Sequence, residues 1–86
     1  MNENQIKALI KRTALKKYAD GVFDNPINIL KMIDRIAQEY EVCIDLQAEL
    51  YERGCFNNAE LMEEFDYANT EMQLYKIILA ELPKYL

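Results

Sequence analysis

The chain contains no histidine. Its absence removes the commonest general base, and with it most zinc and non-haem iron ligand sets, including the Glu-x-x-His pairs of carboxylate-bridged di-iron bundles. Cysteine is scarce as well: Cys43 and Cys55 have neither Cys-x-x-Cys spacing nor histidine partners, so they form no recognisable metal or redox motif. Twelve positions apart across a helix end, they are expected to lie too far apart for an internal disulfide. No long apolar run exists. Met1-Asn2-Glu3-Asn4-Gln5 leads into a lysine-studded segment, which predicts neither a signal peptide nor a membrane span and suits a cytoplasmic setting. No cofactor motif occurs, and no enzyme activity is expected.

Glycine and proline are nearly absent too, at two each. All four sit where a helical chain needs punctuation: Gly21 and Gly54 suit helix ends, Pro26 a first turn and Pro83 a stop. No stretch alternates apolar and polar residues for long enough to make a strand. The 86 residues predict one all-α domain with helices over about 3–20, 26–52 and 58–82. The second opens on Asp24-Asn25-Pro26 and carries Ile29, Ile33, Ile36, Tyr40, Cys43, Gln47 and Leu50 at four-three spacing. The third opens on Phe56-Asn57-Asn58, with Asn57 as cap, Glu60 closing a capping box and Phe56 stapled onto Leu61. Its seam is Leu61, Phe65, Ala68, Met72, Tyr75, Leu79 and Leu82. Matched lengths and a short connection predict an antiparallel hairpin of the two long helices. With the N-terminal helix it makes either a three-helix bundle or part of a dimeric helical bundle.

Charge is unevenly distributed. Residues 1–23 carry five cations against two acids, whereas residues 32–81 carry twelve acids against Arg35, Arg53 and Lys76, within a total of −5. Nucleic-acid affinity rests on phosphate neutralisation, so direct nucleic-acid binding is disfavoured. The basic N-terminal segment is expected to lie against the acidic flanks of the hairpin, with a grip on an anionic partner as the alternative.

Two faces stand out. Tyr67, Leu74, Ile78 and Tyr85 form a second apolar stripe on the third helix, with a smaller counterpart in Val42 and Leu46. One neighbouring helix cannot cover both stripes, which suggests a protein partner or a homo-oligomer, and six tyrosines suit an interface. Asp34, Glu41, Asp45 and Glu52, spaced seven, four and seven, form a carboxylate row able to stand in for phosphates. The leading expectation is a small acidic regulator or inhibitor that binds a protein partner. The alternative is a nucleic-acid mimic that blocks the basic cleft of an enzyme such as a nuclease. In size and composition the chain is similar to small intracellular inhibitors of nucleases and polymerases, including virus-encoded ones. A third reading is a magnesium-dependent nucleotide hydrolase. Glu49-x-x-Glu52 and Glu63-x-x-Asp66 resemble the paired acids of all-α nucleotide pyrophosphohydrolases, but helical angles turn them away from the core.

Overall fold

Asparagine starts every α-helix of this protein, whose computed structural model describes residues 1–86. Helix α1 (Glu3–Lys11) is closed by a reciprocal capping box, in which the Gln5 amide donates to Asn2 Oδ1 at 2.8 Å and the Asn2 amide to Gln5 Oε1 at 2.9 Å. Helix α2 (Pro26–Glu52) has Asn25 as cap, accepting from the Asn28 amide, with Pro26 in the first turn. Helix α3 (Ala59–Glu81) is capped by Asn58, whose Oδ1 accepts from the amides of Glu60 and Leu61. The cap therefore lies one residue beyond Asn57, because a short 3-10 turn over Cys55–Asn57 uses up the intervening chain. There is no strand, and no helix is long and apolar enough to cross a membrane.

The N-terminal segment departs from a helix over 3–20. Regular α structure stops at Lys11, and the chain continues through turns and a 3-10 turn at Lys16–Tyr18. Thr13 is the cause. Its buried hydroxyl donates to the Ile10 carbonyl at 2.7 Å and accepts from the Leu15 amide at 3.1 Å, which offers the backbone an alternative to the helical ladder.

Helices α2 and α3 pack along each other, and α1 packs on α3. The molecule measures 45 × 20 × 19 Å, so the 27 residues of α2, about 40 Å long, run nearly its full length. The nine residues of α1 cover only about 13 Å. They lie beside the end of α3: the Met1 amine pairs with Glu81 at 3.4 Å, the Tyr85 hydroxyl donates to the Met1 carbonyl, and Ile6 and Ile10 share one core cluster with Tyr75, Ile78 and Leu82. From α2 the same cluster takes Ile29, Met32, Ile36 and Cys43, and from the α1–α2 connection Leu15, Ala19 and Val22. Phe23 stacks obliquely on Tyr85 with centroids 5.0 Å apart, which ties that connection to the C-terminus. At the other end Gln47 Nε2 donates to the Phe65 carbonyl at 3.3 Å, and the Phe56 ring sits between Tyr51 and Phe65 at 5.8 and 5.6 Å. Phe56 is thus an exposed member of an aromatic row, two residues ahead of the Asn58 cap and so not at the position from which a staple is made. Cys55, in the turn between the two long helices, is fully buried, as is Leu50.

With α1 on one side of α3, the core is rotated from the sequence seam. Ala68, Glu71, Tyr75, Ile78 and Leu82 are buried, whereas Leu61, Phe65, Met72 and Leu79 are half-buried along one edge. Leu79 is therefore a flank of the core, not its centre.

Gly54, directly after the α2 C-cap, has φ +75°, the left-handed conformation that ends helices cheaply only with glycine. A Cβ there would meet nothing within 4 Å, so the expected cost of Gly54→Ala is purely conformational. Thermal or urea unfolding should register it as about 1 kcal/mol, with Gly54→Asn costing less.

Candidate functional site

Residues 39–71 form the end of the molecule built from α2, α3 and the turn between them, and they meet the cluster shared with α1 at their inner edge, through Cys43 and Ala68. Its charge is extreme: ten acids face Arg53 alone, a balance of −9. The ion pairs of the protein lie elsewhere, at Met1–Glu81, Lys11–Asp20 and Lys84–Glu81, so none of these ten carboxylates has an ionic partner. The basic N-terminal segment does not lie against them. The acidic row of Asp34, Glu41, Asp45 and Glu52 is exposed throughout and falls within a band of about 40° on α2. Gln38 Nε2 donates to Asp34 Oδ2 at 3.1 Å, the single side-chain contact in the row.

The same part of the molecule exposes apolar surface. On the side shared with α1, the expected stripe divides: Leu74 and Ile78 are buried, Tyr85 is half-buried, and Tyr67, Val42 and Leu46 stay open because α1 is too short to reach them. Tyr67 is 65% exposed and Val42 57%. On the opposite side Ile44, Tyr51 and Phe56 are exposed, above half-buried Tyr40, Phe65 and Met72. Sequence reading passed over this second side, although Leu30, Ala37, Ile44 and Tyr51 recur at a spacing of seven and would have marked it.

A buried acid sits where the two parts meet. Glu71 is 4% exposed and has no cation beside it. Its Oε2 accepts from the Tyr75 hydroxyl at 2.9 Å and its Oε1 from the Tyr67 hydroxyl at 3.0 Å. Two neutral donors replace the water this carboxylate lost, as a buried charge requires. Burial and the Glu71 hydrogen bond push the Tyr75 phenol well above its ordinary value, and the Glu71 bond also raises Tyr67. Burial raises the Cys43 thiol, reinforced by Glu71 and Glu39, so Cys43 stays protonated and is a poor nucleophile. A heptad reading treats Glu71 as solvated. The signal that could have found it is a tyrosine four residues to either side.

The pairs Glu49 and Glu52, and Glu63 and Asp66, are exposed, and no three carboxylate or thiol side chains gather into a group that could hold a metal ion. Both cysteines are free. In comparison with known proteins, no family model matches the chain, and no curated protein and no solved structure matches it.

Proposed function

We propose that the protein is a non-catalytic interaction module, a regulator or inhibitor, whose two-helix end at residues 39–71 inserts into a basic, partly apolar site on another protein. The observation that carries this reading is the coincidence, on one end, of ten carboxylates without ionic partners and six exposed large apolar residues. A solvated face explains acids and a folded core explains apolar residues, but open Val42, Ile44, Leu46, Tyr51, Phe56 and Tyr67 among those acids suit a surface that is covered in a complex. The reading takes α2 and α3 as an antiparallel hairpin, supported by Gln47 meeting Phe65 while Phe23, just ahead of α2, meets Tyr85. With α1 added, the other end is a three-helix bundle that serves as a rigid base. Two free, buried cysteines suit a reducing compartment such as the cytoplasm.

Charge selects among partners. A second copy would set −9 against −9, so a partner bearing Lys and Arg around an apolar centre is favoured over a homodimer. The acidic row keeps a nucleic-acid-mimicking inhibitor as the form such a partner suggests if its site is a nuclease-like cleft. The test is affinity capture from the source organism's lysate, followed by kinetics with the captured protein. Reversing Glu41 and Asp45 to lysine should slow association and flatten its salt dependence, while Leu46→Ala with Tyr67→Ala should speed dissociation by about tenfold or more. Sedimentation equilibrium should give a monomer at micromolar concentration. Unchanged kinetics in both variants would overturn the reading.

A further inference from the structure

We infer that the opposite end of the molecule carries a separate site for a small organic phosphate, built where the α1–α2 connection folds back on the first turns of α2. A cavity of about 260 Å³ opens there between Lys17, Tyr18 and Gly21 of the connection and Asn28, Lys31, Met32 and Arg35 of α2. Three of its seven lining residues are cations and none is an acid, in a chain that has five more acids than bases. None of the three forms an ion pair or a side-chain hydrogen bond within the protein: the ion pairs are made by Lys11, Lys84 and the Met1 amine. Converging like charges repel, and fifteen acids were available to neutralise them. An anion supplied from outside relieves that repulsion.

The site is organised rather than a chance meeting of surface lysines. The Arg35 guanidinium lies 3.9 Å from the centre of the Tyr18 ring and the Lys17 ammonium 5.1 Å from it, so one aromatic platform holds both cations. Held against the ring, the guanidinium keeps its N–H groups without a partner in the protein, free to receive two oxygens of a phosphate. Asn28 is the positioning residue: its Nδ2 donates to the Gly21 carbonyl at 2.8 Å and clamps the connection to α2, so that Lys17 lines the same cavity as Lys31 and Arg35. Four of the seven lining residues belong to α2, and Asn28 lies in its first turn, where the helix macrodipole adds positive potential.

A phosphate dianion, with two charges and three free oxygens, can engage a guanidinium fork and two ammoniums at once, whereas a carboxylate offers one charge and two oxygens. The volume exceeds that of one phosphate, and Tyr18 and Met32 supply apolar wall for a small organic group. A polyanion fits less well, because an extended strand leaving this pocket meets a molecule carrying twelve acids over residues 32–81.

The test is a backbone-amide NMR titration of the full chain with inorganic phosphate, ribose 5-phosphate, ribose, and sodium chloride at matched ionic strength. The two phosphates should produce saturable shifts centred on Gly21, Asn28 and Lys31, with ribose 5-phosphate the tighter, and ribose and chloride should produce none. Lys17→Gln and Lys31→Gln alter exposed side chains, so the fold should survive, and each should weaken binding by about tenfold. Arg35→Lys keeps the charge but loses the fork and should weaken binding too, whereas Lys16→Gln, beside the pocket, should leave it unchanged. Shifts reproduced by chloride, or equal loss on Lys16→Gln, would overturn the site. Tighter binding of a single-stranded oligonucleotide or of anionic lipid vesicles than of ribose 5-phosphate would overturn its assignment to a small molecule. Because the pocket lies outside residues 39–71, none of these outcomes bears on the partner-binding end.

Discussion

Ile78→Ala is expected to lower stability by about 2 to 5 kcal/mol, a large fraction of what a domain of this size possesses. Ile78 is fully buried in the cluster that joins α1, α2 and α3, and losing its side chain removes transferred apolar area and leaves a cavity between three helices. The adjacent Ile77 provides the control. It is 45% exposed, about 100° away around the helix, and Ile77→Ala should cost less than about 1 kcal/mol. Half-buried Leu79, on the other flank, should give an intermediate value. Urea denaturation of the three variants measures the orientation of α3: similar midpoints for Ile77→Ala and Ile78→Ala would mean that α1 does not pack where described. The same experiment examines why α1 matters, since the contacts of Ile6 and Ile10 with this cluster are what turn the stripe around Ile78 from a free face into core.

That stripe also marks the boundary of what the sequence made legible. Helix α2 could be read to the residue, because Asn25-Pro26 and Gly54 punctuate it by local backbone chemistry. The seam of α3 was readable in period but not in phase. Periodicity reports that Ala68, Tyr75 and Leu82 share a line, and a third helix then decides whether Leu79 or Ile78 stands at its centre. The end of α1 depended on one buried hydroxyl, that of Thr13, competing for the Ile10 carbonyl, and Thr13 carries no mark in the sequence that distinguishes it from a helical threonine. Of the candidate surfaces, the acidic row was legible because seven-four-seven spacing keeps four carboxylates on one face whatever else packs nearby. The pocket at Lys17, Lys31 and Arg35 was not, since it requires the connection to fold back through the Asn28–Gly21 hydrogen bond, a tertiary event without a periodic signature.

Tyr75→Phe is expected to cost about 1 to 3 kcal/mol at neutral pH and progressively less as the pH rises. The Tyr75 side chain is fully buried and its hydroxyl donates to Glu71 at 2.9 Å. Phenylalanine keeps the packing and leaves the buried carboxylate with the exposed Tyr67 hydroxyl as its one remaining donor. The pH dependence follows from the direction of the Tyr75 shift. Burial and Glu71 raise its phenol above the ordinary value of 10.0, so the folded state holds this proton in a range where the unfolded chain releases it. The stabilisation is therefore complete below the ordinary value and is lost as pH climbs above it. Cys43, raised from 9.0 by burial first and by Glu71 and Glu39 next, and Tyr67, raised by its Glu71 hydrogen bond first, add further alkaline losses. Both groups are present in wild type and in Tyr75→Phe, so the difference between the two reports Tyr75. The gap between their urea midpoints should shrink from about pH 7 to about pH 11, within the range where phenols ionise. Pairing Tyr75→Phe with Glu71→Met should cost less than the sum of the two changes, because together they remove both the donor and the charge that needs it. A gap independent of pH, with additive costs, would show that the hydroxyl contributes only by filling space.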